Sequence, residues 1–294
     1  MRLGNLLPFG QDIESGEFVD VGNVPNGDKC GCICPSCKTL LTARHGEKNE
    51  WHFAHKVKKS HNSTKVPCDF SFYVSVRMMI RQISQAGLDL KIPLLTVPSQ
   101  IYDESKKSIL PDIMHVVRTQ DINLQDIRVG EIFSGVVVDV LATVSGYPFV
   151  IFVSYKDRPV PIELSDPKES KAGVIEFEAK ALREAFQQTK NGQYLEALKH
   201  FLMNGIEGKR WVYHPRFKEV KQKAFIQSEN AQKQKKLAVR KEGPSKDWGT
   251  NRSPTSLANG YKNSTFVCSN CHCKWKSNSA VCPQCGTEAR PFKY

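Results

Sequence analysis

Between Cys68 and Ala86, "CDFSFYVSVRMMIRQISQA" places Phe72, Tyr73, Val76, Ile80 and Ile83 at helical spacing. The pattern predicts an amphipathic helix with Asp69 as its N-cap and Gly87 as its stop. Downstream the period changes. "KIPLLTVP", "DIMHVV", "FSGVVVDVLATV", "YPFVIFVSY" and "GVIEFEAKAL" are β-rich runs. Of these, "GVVVDVLATV" and "PFVIFVSY" are nearly continuous in apolar residues, as strands buried on both faces are. The short "SGYP" between them predicts a hairpin. After Gly173, "VIEF" reads as a further strand running into the helix-prone "AKALREAFQQTKNGQYLEALKHFLM", and "KRWVYHPRF" ends the compact part. The middle of the chain is therefore α/β, a sheet with helices before and after it.

Composition narrows the class. The chain has 294 residues, 40% hydrophobic and 24% charged, which excludes a fibrous or disordered protein and leaves room for one large domain or a few small ones. No run approaches the ~18 apolar residues that a membrane span requires, so no membrane partner is expected. "MRLGNLLPFGQDIESGEF" has early acids and too short an apolar stretch for a secretory signal. The expected location is cytoplasmic, where thiols stay reduced. A net charge of +12 points to a polyanionic partner, with nucleic acid first. The charge is uneven: residues 218–262 hold eleven Lys or Arg against four Asp or Glu, and read as a basic linker. Such a segment either contacts phosphate or is a solvated tether.

The ten cysteines fall at 30, 32, 34, 37 and 68, then at 268, 271, 273, 282 and 285. Two terminal clusters around a cysteine-free middle predict two small metal modules. In the C-terminal one, Cys268-x-x-Cys271 and Cys282-x-x-Cys285 form two knuckles, each able to present two thiolates to one tetrahedral Zn²⁺. Cys273 and His272 are surplus donors there. The segment resembles a zinc ribbon, a module suited to contact with nucleic acid or a protein partner. It is too short to fold without its metal. At the N-terminus, Cys34-Pro-Ser-Cys37 forms a knuckle and His52-x-x-His55 offers two imidazoles, which share a face if residues 52–55 form a helical turn. Thiolates with imidazoles select zinc, and a closed set of four implies a structural ion. Cys30, Cys32 and Cys68 are alternative ligands, and a redox role for Cys34 and Cys37 is the rival reading.

Asp139 stands inside the apolar "GVVVDVLA". A bare carboxylate buried in a sheet is costly unless it is paired or holds a metal. It is either a cap on a neighbouring backbone N–H or a ligand for Mg²⁺. Glu176, Glu178 and Lys180 lie on and just beyond "VIEFEAK", and Lys156 and Arg158 follow "PFVIFVSY". An Asp with a nearby Glu and Lys is the set that metal-assisted phosphodiester hydrolysis uses: carboxylates hold Mg²⁺, which activates water, and the lysine stabilises developing charge. Arg77 and Arg81, four apart, read as a solvated helix face or a phosphate-facing pair.

Taken together, "CICPSCKTLLTARHGEKNEWHFAH", "VVVDVLATVSGYPFVIF", "VIEFEAKAL" and "KRWVYHP" resemble the competence protein CoiA-like family, related to the PD-(D/E)xK nucleases. The resemblance spans roughly residues 15–216, with the finger and "HFAH" as its most specific part. It implies a restriction-endonuclease-like α/β core over 69–217 behind an N-terminal zinc finger over 1–68; the basic linker over 218–262 and the zinc ribbon over 263–294 lie outside the shared part. It also implies Mg²⁺-dependent cleavage of DNA with Asp139 as the acid of the second strand. The chain departs from the family pattern on the next strand, where "SYK" puts Ser154 in the place of an acid. The arginine expected before Asp139 is missing as well. Either Glu176 or Glu178 with Lys180 supplies the displaced acid, or the core is degenerate and only binds. A protein–protein adaptor built on the two zinc modules is the third reading.

Overall fold

The residues described in this computed structural model are 7–241, apart from 48–49, 57–67, 69, 88, 170 and 190–191, together with 264–268, 274–277 and 282. The chain divides into two units, Met1–Lys241 and Glu242–Tyr294.

In the first unit, β1 (Phe9–Asp12), β2 (Phe18–Asp20) and β3 (Cys32–Ile33) form an antiparallel sheet in the order β2-β1-β3. A hairpin of β4 (Leu41–Arg44) and β5 (His52–His55) follows. Next comes α1 (Phe72–Gln85), the helix expected from the sequence. Its N-cap is Ser71, whose Oγ accepts from the N–H of Val74 at 3.5 Å; Asp69, the expected cap, lies outside the described residues. Phe72, Val76, Met79 and Ile80 form its buried face, and Gly87, at φ +90°, turns the chain away.

Then β6 (Asp89–Ile92) pairs with β9 (Gln120–Asn123), enclosing a long hairpin of β7 (Leu95–Asp103) and β8 (Ser108–Val117). After β10 (Gln125–Val129) and the small hairpin of β11 (Ile132–Phe133) and β12 (Val136–Val137) come β13 (Val140–Val144), β14 (Tyr147–Ser154) and β15 (Gly173–Glu178). Two helices, α2 (Ala179–Gln187) and α3 (Tyr194–Met203), lead to β16 (Lys209–Tyr213). The helix-prone stretch after β15 thus forms two helices, with Gly192 at φ +67° between them.

The five-stranded sheet has the order β10-β13-β14-β15-β16, with only β14 and β15 parallel. The expected β13–β14 hairpin turns on Ser145 and Gly146, both at positive φ, the two-residue turn whose twist suits its strands. Alternation along these strands splits the apolar residues between two faces. Val140, Ala142, Ile151 and Val153 pack toward α1, α2 and α3, while Leu141, Val150 and Phe152 pack with Leu164 and Val174. Burying each such side chain is worth roughly 1.5–3 kcal/mol, so this two-sided packing is the main source of the sheet's stability.

The N-terminal segment shares this core. Leu7, Phe9, Val21, Leu41 and Phe53 belong to the same cluster as α1 and the sheet, so residues up to 68 are no separate finger domain. Asp20 ties the two parts together: it is buried, and its carboxylate accepts from the N–H groups of Gly22 and of Leu195 in the first turn of α3. Burial pushes its pKa up to about 6, against the pull of these bonds.

The expected linker begins instead as α4 (Phe217–Lys241), 25 residues long and packed on the β7–β8 hairpin. Val220, Ala224 and Ala231 are its buried contacts. Gln227 donates to Asp112 at 2.7 Å, and Ser228 accepts from the N–H of Gln100 at 3.0 Å. Residues 242–262 lie outside the described residues. In the second unit, β17 (Ser264–Val267) and β18 (Lys274–Ser277) form a hairpin with Phe266 and Trp275 stacked at 5.3 Å. Among the described residues, no helix is long and apolar enough to cross a membrane.

Candidate functional site

The candidate N-terminal metal centre is built where β3 leaves its sheet. The knuckle closes through two backbone bonds, Cys34 N–H to Thr39 O and Lys38 N–H to Cys34 O, both 2.9 Å. Lys38 takes the left-handed conformation that such a turn needs. Into this corner come His55 from the end of β5 and Cys68 from just ahead of α1. The donor atoms of Cys34, Cys37, His55 and Cys68 all lie within 4.8 Å of one another, a Cys₃His set able to hold a metal such as zinc. Cys34 Sγ is 3.5 Å from Cys68 Sγ, and Cys68 Sγ is 3.4 Å from His55 Nε2. Burial pushes the Cys34 thiol up from its ordinary pKa, so a bound cation is what would favour its thiolate.

His52 is not part of this set. Residues 52–55 are a strand rather than a helical turn, so positions three apart face opposite ways. His52 Nδ1 sits 2.9 Å from the carbonyl of Glu50 instead. Cys68, in sequence only an alternative donor, is brought by the fold into the set as its fourth member. Cys30 and Cys32 are buried elsewhere, their thiols on the carbonyls of Leu41 and Cys30. In the second unit Cys268 and Cys282 are buried, while Cys271, Cys273 and Cys285 lie outside the described residues.

The second candidate is a cleft of about 680 Å³ at the carboxyl ends of the parallel pair β14 and β15. Ligands of open α/β sheets bind at such ends. Ser154, Lys156, Glu176, Glu178, Lys180 and Arg210 line it, so four of the five expected catalytic residues do converge. Their partners limit what they can do. Glu176 accepts from Ser154 Oγ on one oxygen and from Arg210 Nε and Nη2, at 2.8 and 2.6 Å, on the other. Glu178 ends β15 and is exposed, as are Lys156 and Lys180. Tyr73 of α1 stacks flat on Tyr155, centroids 5.4 Å apart, as part of one wall.

Asp139 does not line this cleft. It is fully buried, and both its oxygens are taken. Oδ1 accepts from Arg77 and Arg81 of α1; Oδ2 accepts from Arg158 at 2.7 Å and from the N–H of Val153 at 2.8 Å. Arg158 also lies over the Phe152 ring at 3.7 Å and donates to the carbonyls of Val153 and Val137. Burial lowers the pKa of this guanidinium, Asp139 opposes that shift, and the charge of Arg77 adds to it. Arg77 and Arg81 are therefore no solvated face. Asp139 pins α1 and the loop after β14 to the start of β13. Among the described residues, the Cys₃His set is the one group of three or more acids, cysteines or histidines close enough to share a metal; Asp139, Glu176 and Glu178 do not form another.

Comparison of the chain with protein-family models, with curated proteins and with solved structures finds no match.

Proposed function

We propose that this chain is a zinc-stabilised nucleic-acid-binding protein on a restriction-endonuclease-like core, with a cleft that holds phosphates through fixed cations. One observation carries the reading: the acid that the family resemblance assigns to Mg²⁺ is saturated by three guanidinium groups and a backbone N–H. An incoming Mg²⁺ would have to displace them and would meet their charge at close range. What remains open to solvent in the cleft is Lys156, Lys180 and the half of Arg210 not turned to Glu176, beside the single exposed carboxylate of Glu178. Those cations suit a phosphodiester backbone. The Cys₃His set would hold one Zn²⁺ as a structural ion, and the C-terminal knuckles a second.

A nuclease remains the second reading, favoured by the convergence of Glu176, Glu178, Lys156 and Lys180 on one cleft. The test is binding of labelled duplex DNA across a salt series, with cleavage followed in Mg²⁺ and Mn²⁺. The Lys156→Ala, Lys180→Ala double variant should lower the slope of log affinity on log salt by about 2, at ~0.9 per phosphate contact. Absence of salt-dependent binding in the wild type would leave the adaptor reading. Metal-dependent cleavage abolished by Glu178→Gln would replace binding with catalysis.

A further inference from the structure

At the opposite end of the same sheet, beside the amino ends of β14 and β15, lies a groove of about 800 Å³ that shares no residue with the cleft. That volume falls in the ~300–1,000 Å³ range of ligand sites. Its floor is aromatic. Phe149 packs edge-on to Trp211 at 6.1 Å, and Tyr147, 54% exposed, projects from the β13–β14 turn. Trp211 is fixed by its indole N–H on the carbonyl of Pro93 at 2.9 Å. Arg118, Lys171 and Arg216 stand exposed along the groove, and no Asp or Glu lines it. Among the described residues none of these three forms an ion pair.

We propose that this groove is a second site, for single-stranded polynucleotide, with bases stacked on Tyr147 and Trp211 and phosphates on Arg118, Lys171 and Arg216. Three exposed cations without an ion pair among the described residues, of which only Arg216 has an acid, Glu219, within electrostatic reach, select a polyanion. An aromatic floor adds base stacking, which a base-paired duplex cannot offer because its bases are stacked on one another. An acidic protein surface would satisfy the cations and leave the rings idle, so the polynucleotide is the better match. The site is independent of the cleft reading, since no residue is common to both.

The experiment uses the full chain with labelled oligonucleotides of about a dozen nucleotides, as single-stranded DNA, single-stranded RNA and duplex, read by fluorescence anisotropy. Tyr147→Ala should weaken single-strand binding at least about fivefold and Tyr147→Phe should restore it, because stacking needs the ring and not the hydroxyl. Alanine at Arg118, Lys171 and Arg216 together should lower the single-strand salt slope by about 2, at ~0.7 per phosphate. Comparing the DNA and RNA arms identifies which strand is preferred. Wild-type single-strand affinity in both variants overturns the proposal. So does equal weakening of duplex binding by Tyr147→Ala, or competition by polyglutamate as strong as that by the oligonucleotide. If the wild type binds duplex through Lys156 and Lys180 but is indifferent to groove variants, only this site falls; if it binds no nucleic acid, both readings do.

Discussion

Replacing Asp139 by Asn removes one negative charge and puts an amide N–H₂ in place of one of its two acceptor oxygens. Every neighbour of that carboxylate is a donor: Arg77 and Arg81 on one oxygen, Arg158 and the Val153 N–H on the other. Whichever way the amide is turned, its N–H₂ opposes donors. The three guanidinium groups are each only 15–16% exposed, so water cannot take over for them. Breaking a buried pair by removing one partner costs about 3–5 kcal/mol. For a unit of this size that corresponds to a melting point lowered by roughly 6–20 °C. An unpaired carboxylate kept for a metal would instead be relieved by the change, leaving stability unaltered or raised, and a simple backbone cap would lose only about 1 kcal/mol. Urea unfolding followed by tryptophan fluorescence decides it. A companion variant sharpens the test: Arg77→Met leaves Asp139 with Arg81 and Arg158 and relieves crowding of like charge, so it should cost much less than Asp139→Asn. If Asp139→Asn unfolds within ~0.5 kcal/mol of wild type, the carboxylate is not engaged as described, and its role as a metal ligand reopens.

Two further outcomes follow from the geometry. Cys68→Ser or His55→Ala should remove the N-terminal zinc by elemental analysis while His52→Ala keeps it; zinc retained in the first two and lost in the third would restore the His52 assignment. Lys209 is buried, and desolvation pulls its pKa down to about 7 although its ammonium donates to the carbonyls of Lys91 and Leu202. Between pH 7 and its ordinary value near 10.5 the unfolded chain holds more protons than the folded one, so this group makes stability rise with pH across that window. Lys209→Met should flatten the rise, and an identical pH profile in the variant would contradict the assignment.

The central hairpin and α1 were legible because their signals are local: a helical period over 72–83, and two apolar runs around a Ser-Gly turn. The partners of Asp139 were not, since an arginine pair four apart acquires its meaning only when the fold brings position 139 to it. His52 misled for a different reason. Its segment alternates Trp51 and Phe53 with His52 and Ala54, a strand period, whereas spacing alone invited a helical turn. In α4 the buried side chains are small, Val220, Ala224 and Ala231, so lysines dominated the pattern and a packed helix read as a tether. Cys68 needed the third dimension altogether, because the residues before it carry no spacing signal toward Cys34.

The place of Cys68 has a thermodynamic consequence. It lies four residues ahead of Phe72, where α1 starts, and α1 carries Tyr73 to Tyr155 and two arginines to Asp139. A metal joining Cys68 to the knuckle is a cross-link closing the chain between them, which shrinks the freedom available to the helix's leading end. Without an ion that end would be freer to fray, and the slack would reach the tyrosine wall of the cleft. Coupling of this kind is reciprocal: whatever factor the ion adds to affinity in the cleft, an occupant of the cleft must add to affinity for the ion. Loss of a metal from this set would then be felt first at the cleft, well before the sheet itself unfolds.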